Sequence, residues 1–341
     1  MACKRRRVKC DEQVPCRNCV RRGEQCSLQN LPSTTTTEQR KMYRDYGEMW
    51  YQKKRPVILC MSNSQHSMAW ECTDCYSVMH GVLALSALHI IHRRPNESER
   101  HMRLCDNHQA KAVGAFHSLL STQLNEQLSQ PMFALASVIS ISSVARSCAV
   151  AYALPEPRYV SMDQVTELFL LTRGVGTIVD ACVSWLRSSP LAPVLAGYDI
   201  PDRDQVTLPD VVMERFRVLD EMIETACFGE HQRNICRDAL SALEDVHRSV
   251  VHYSAKNQLQ TGHVFSWMTA IPLDFVTFIR ASVPPALVIL AHFASVSLAV
   301  QSAWYSTNWG NYCLQGIKQE LHGHDLQHWL DWPKAHADTN M

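Results

Sequence analysis

Residues 3–26 read CKRRRVKCDEQVPCRNCVRRGEQC, and the spacing of their five cysteines decides how the whole chain is organised. Cys3, Cys10, Cys16, Cys19 and Cys26 follow the pattern C-x6-C-x5-C-x2-C-x6-C, with Pro15 directly before Cys16. A segment this short, with almost no apolar residues, has no core to bury. Thiolates so closely spaced in such a setting indicate a structural zinc site, because metal binding supplies the folding free energy that packing cannot. Lys4, Arg5, Arg6, Arg7, Lys9, Arg17, Arg21 and Arg22 are interleaved with the thiols. That mixture separates the segment from an ordinary scatter of cysteines.

The chain has 341 residues and a formal net charge of zero, which read alone argues against a nucleic-acid partner. The average conceals an asymmetry. Residues 1–26 carry eight Lys and Arg against three Asp and Glu, a net of +5, and the rest carries 25 against 30, a net of −5. A basic head on a mildly acidic body predicts that the head meets a polyanion and the body does something else. The other nine of the 14 cysteines scatter from Cys60 to Cys313. No apolar stretch follows the basic N-terminus, so the sequence predicts a reducing compartment with metal-bound or free thiols rather than a disulfide framework.

The head resembles the fungal Zn(2)-Cys(6) binuclear cluster domain, whose pattern is C-x2-C-x6-C-x5-12-C-x2-C-x6-8-C. In that family six cysteines hold two zinc ions, and two of the six bridge both metals. Cys3, Cys10, Cys16, Cys19 and Cys26 match the second to sixth cysteines, and Cys16 corresponds to a bridging one. The first cysteine would stand one residue before Met1, so each zinc has three thiolates in the sequence as written. The expectation is that Met1 is an internal methionine of a complete cluster holding two zinc ions; as written, zinc binding is weak or partial. The alternative is a helical regulatory or interaction protein that has lost DNA binding through truncation of the cluster.

The resemblance also implies double-stranded DNA as partner, the nucleus as location and CGG-type triplets as targets. Arg6 and Arg7 match family positions that reach base edges, where an arginine fork suits guanine O6 and N7. Lys4, Arg5, Lys9, Arg17, Arg21 and Arg22 are then expected to neutralise phosphates, giving affinity and salt dependence without sequence information. The run KRRRVK also suits a nuclear import signal.

Residues 27–59 are read as a linker: 27–40 (SLQNLPSTTTTEQR) lack apolar periodicity. No heptad run follows, so a homodimer stays open. From about residue 74 the helical period dominates. Candidate helices fall at 74–94, 97–124, 132–152, 161–186, 209–226, 230–256, 273–281, 285–304, 311–322 and 325–331, separated by prolines. Period-two strands are nearly absent, so the fold class is all-α: a zinc-thiolate head at 1–26, a linker, and a helical domain over 60–335. Two stretches, 132–154 and 284–304, are apolar but interrupted by Arg146, His292, Gln301 and serines, whereas a membrane span wants about 20 nearly unbroken apolar residues. They are read as buried helices, with no membrane partner.

The body motifs LALSALH (83–89), ELFLLTRGVGTIVD (167–180), SSPLAPVL (188–195), PPALVILAHFA (284–294), WYSTNWGNYCLQGI (304–317) and WLDWP (329–333) are similar to the helical regulatory domain of fungal sterol uptake control regulators. That similarity implies a lipophilic ligand for some relatives and control of a biosynthetic gene set, sterol or secondary-metabolite, for others. Trp304, Trp309, Trp329 and Trp332 are candidates to line such a pocket, with core packing as the alternative. His80, His89 and His92 with Cys72 and Cys75 offer a second metal site, weighed against buried thiols and helix-surface histidines. No G-x-S-x-G, P-loop, HExxH or dinucleotide glycine fingerprint occurs, so an enzyme is not expected.

Overall fold

Prolines and capping side chains cut the body into helices where the sequence places them. The computed structural model describes residues 17–23, 74–121, 124–189, 191–195 and 199–339. By its internal contacts the chain divides into two units, Met1–Pro56 and Val57–Met341. Every regular element among the described residues is helical, as the all-α reading requires. The first unit contributes one described element, the single turn α1 (Arg17–Val20).

The second unit begins with α2 (Asp74–Arg93), which stops before the Pro95–Glu97 turn, and α3 (Ser98–Leu120) packs back against it. Helix α4 (Glu126–Ala153) starts six residues before the predicted 132. Asn125 sets that start by accepting a hydrogen bond from the Leu128 amide, so Pro131 is carried inside the helix instead of opening it. Helix α5 (Met162–Arg187) opens on a capping box, Ser161 accepting from the Gln164 amide and Gln164 from the Ser161 amide. The α4 and α5 helices are long and apolar enough to cross a bilayer by length and composition; here they pack on each other.

After a short turn α6 (Ala192–Leu195) come α7 (Asp210–Ala226), α8 (Gly229–Ala255), α9 (Thr261–Phe265), α10 (Trp267–Ala270) and α11 (Leu273–Arg280). Helix α12 (Pro284–Ser297) is the centre: every residue from Pro285 to Ser297 is buried. A helix apolar on all sides belongs inside a core, and the others surround it. Trp267 stacks on Phe293 at 4.4 Å, with Phe169 and Phe275 edge-on to Trp267. The Trp267 indole N–H donates to the Ala239 carbonyl at 2.9 Å, which satisfies its polar atom inside the apolar cluster.

The predicted helix 285–304 ends early, at Ser297, and passes through a 3-10 turn at Leu298–Val300. Hydroxyls cause this. Ser297 Oγ donates to the Ala294 carbonyl, Ser306 Oγ to that of Val300 and Thr307 Oγ1 to that of Gln301, offering the backbone an alternative to the helix ladder. Asn308 then adopts a left-handed conformation (φ 62°) and α13 (Trp309–Glu320) begins. Its two glycines are where it meets other backbone: a Cβ at Gly310 would lie 2.3 Å from the Ala294 carbonyl oxygen, and one at Gly316 2.1 Å from that of Val160. The predicted helix 325–331 is a 3-10 segment, Asp325–Leu330, continued by α14 (Asp331–Thr339).

Candidate metal centre and nucleic-acid interface

The described part of the head is the turn Arg17–Gly23. Helix α1 is closed by Arg21 N–H to Arg17 O (2.9 Å), Arg22 N–H to Cys19 O (3.1 Å) and Gly23 N–H to Val20 O (3.1 Å). Gly23 takes a left-handed conformation (φ +63°), as a residue ending a helical turn commonly does. A helix advances about 100° per residue, so Arg17 and Arg21 fall on one side and Cys19, two residues on, on the other. Burial agrees: Cys19 is 1% exposed, whereas Arg17, Arg21 and Arg22 are exposed. One turn therefore sorts its chemistry, thiol inward and guanidinium groups outward.

That donor set suits zinc. Cys19 is buried, and soft thiolates are the ligands zinc prefers in structural sites. The other predicted thiols, Cys3, Cys10, Cys16 and Cys26, and the basic residues Lys4, Arg5, Arg6, Arg7 and Lys9 lie outside the described residues.

Residues 1–35 match the family model of the fungal Zn(2)-Cys(6) binuclear cluster domain. The head is a zinc-cluster domain. Domains of this type bind zinc ions and DNA; the match covers 35 of the 341 residues. No curated protein and no solved structure matches the chain. In the described turn one thiol, Cys19, is buried and three guanidinium groups, those of Arg17, Arg21 and Arg22, are exposed.

Of the residues weighed for a second metal site in the body, the three histidines are described and lie in two settings. His80 Nδ1 lies 2.8 Å from His108 Nδ1, one ring donating and the other accepting. His89 and His92 instead pack against Trp304, with ring centroids 4.7 and 6.0 Å away. Cys72 and the Cys75 side chain lie outside the described residues, and no group of three metal-ligating side chains occurs among those described. Sequence reasoning missed His108. Burial, followed by the neighbouring His80 and Lys111, lowers its pKa to about 4.

The four tryptophans go to three places. Trp309 is fully buried in the central core, and Trp304 packs with His89 and Tyr305. Trp329 and Trp332 flank the Arg215 guanidinium, whose carbon sits 4.9 and 5.5 Å from their ring centres. Arg215 Nε donates to His292 Nε2 at 2.8 Å and Nη2 to the Trp329 carbonyl at 3.2 Å. His292 Nδ1 is 2.8 Å from the Val288 carbonyl, which fixes the proton on Nδ1 and leaves Nε2 to accept. This cluster holds the C-terminal segment to the body. A cleft of ≈ 420 Å³ lies between α3, α4 and α5, with Asp106, Arg146, Gln109, Gln164 and Glu167 among the residues on its walls.

Proposed function

We propose that this protein is a nuclear, sequence-specific DNA-binding regulator whose zinc-cluster head reads CGG-type elements and whose body, over about residues 60–335, regulates that activity. The observation that carries the reading is the match of residues 1–35 to the zinc-cluster domain, joined to the turn in which Cys19 points inward and Arg17, Arg21 and Arg22 outward. In this reading Cys3, Cys10, Cys16, Cys19 and Cys26 are zinc ligands. Arg6 and Arg7 reach base edges, while Lys4, Arg5, Lys9, Arg17, Arg21 and Arg22 lie along phosphates.

The body is proposed as a regulatory domain similar to that of the sterol uptake control regulators, acting on a sterol or secondary-metabolite gene set. Its inputs are a small lipophilic ligand or a second copy of the chain. The order of its motifs supports this, as does the amount of apolar helix gathered around α12.

The test is direct. Zinc-loaded protein should shift CGG-containing duplexes with an affinity that falls steeply with salt. Arg7→Ala should cost about 1–3 kcal/mol on CGG duplexes and relax sequence preference. Lys4→Ala should weaken all duplexes evenly and lower the salt slope by about one. Equal, uniform losses in both variants would overturn the base-contact assignment.

A further inference from the structure

Three helices each turn one stripe of side chains toward the cleft between α3, α4 and α5. On α3, Asp106, Gln109, Ala110 and Val113 recur at the spacing that keeps side chains on one helix face, and on α4 Ser143, Arg146 and Ser147 do the same. Gln164, Glu167 and Leu168 complete the walls from α5. Helix α4 packs against both of its neighbours, and the small side chains of Ala110, Ser143 and Ser147 leave the space open. Its volume, ≈ 420 Å³, falls within the range of small-molecule sites, about 300–1,000 Å³.

Hydrogen bonds within the protein decide what these walls can still offer. Cys105 Sγ donates to Gln109 Oε1 at 3.8 Å, and the Ser161 amide donates to Gln164 Oε1 at 3.0 Å. Each glutamine therefore has its carbonyl oxygen engaged and its NH2 left to donate. Arg146 Nε donates to Asp106 at 3.1 Å, while its two terminal nitrogens bond no group among the described residues. Acceptors are left as well. Ser143 and Ser147 donate their hydroxyl protons to the Ile139 and Val144 carbonyls, which leaves oxygen lone pairs, and Glu167 makes no ion pair among the described residues. One cleft thus holds an unused guanidinium edge and an unused carboxylate, with apolar surface from Val113 and Leu168.

We propose that this cleft binds a small zwitterion of the α-amino-acid class with an apolar side chain. Its carboxylate takes the two terminal nitrogens of Arg146 and an NH2 of Gln109 or Gln164, since a guanidinium fork suits a planar anion. Its ammonium is met by Glu167 and the serine lone pairs, and its side chain lies on Val113 and Leu168. A ligand carrying one charge answers only half of the site.

The test titrates zinc-loaded full-length protein with L-leucine in a calorimeter. Saturable binding is expected, with a Kd below about 1 mM. 4-Methylpentanoate, which is leucine without its ammonium, and 3-methylbutylamine, which is leucine without its carboxylate, should each bind about ten-fold or more weakly, the loss of one charged hydrogen bond. Arg146→Gln and Glu167→Gln should weaken L-leucine by a similar factor, and Glu167→Gln should no longer distinguish L-leucine from 4-methylpentanoate. The Arg146 side chain is 38% exposed and Glu167 is exposed, so both variants should keep the helical signal in circular dichroism. Ala110→Trp, at an exposed helix position, fills the cleft without touching the core and should abolish binding. The proposal fails if L-leucine gives no saturable binding, if 4-methylpentanoate binds as tightly as L-leucine, or if Arg146→Gln or Glu167→Gln binds L-leucine as the wild type does.

Discussion

Gly316 shows how closely a single residue can be specified. Val160 N–H donates to the Tyr312 carbonyl at 3.1 Å, and the Val160 carbonyl oxygen occupies the space a Cβ at 316 would need. The obstacle is backbone, which cannot swing aside as a side chain can, so Gly316→Ala should cost about 3 kcal/mol by denaturant unfolding, the upper end of the overpacking range. His108 makes a prediction about pH. Its folded pKa, about 4, lies below its ordinary 6.5, so the unfolded chain binds the proton first as pH falls. Its contribution to stability is complete above about 6.5 and is lost as pH drops toward about 4. The thermal midpoint should fall across that window, and His108→Gln should flatten the slope. Neither residue announced itself: a glycine in a helix and a histidine among 16 carry no label for what they touch. The Arg215–His292–Trp332 cluster is unreadable for the same reason, since its members lie on three separate elements.

Helices were legible where local chemistry sets their ends. Ser161 and Gln164 form a capping box in the structure, and α5 begins within a residue of the predicted 161. Removing that cap with Ser161→Ala should cost about 1 kcal/mol in stability without changing helix content by circular dichroism. Prolines at 95, 209 and 284 likewise marked boundaries the structure keeps. The ends that moved are those where side chains compete with backbone. Asn125 started α4 ahead of Pro131, and hydroxyls at Ser297, Ser306 and Thr307 drew carbonyls out of the helix ladder near 298–308. Short α9 and α10 were missed, because five- and four-residue helices show no period, and packing of Phe265 and Trp267 into the core fixes them.

At the scale of the molecule, the head depends on metal and the body on apolar burial, so the two should fail separately. A strong chelator should abolish duplex binding while the body's helical signal and its thermal midpoint stay unchanged; loss of both together would show that the two units fold as one. The all-α class, the zinc-cluster head and the order of the body helices were determined by sequence alone, because thiol spacing, charge and the 3.6-residue period are local properties. Tertiary structure decided the rest: α12 as the centre, the tryptophans parted among three clusters, and His80 set against His108. Those outcomes depend on which faces meet across long separations in the chain, and no short window of residues contains that information.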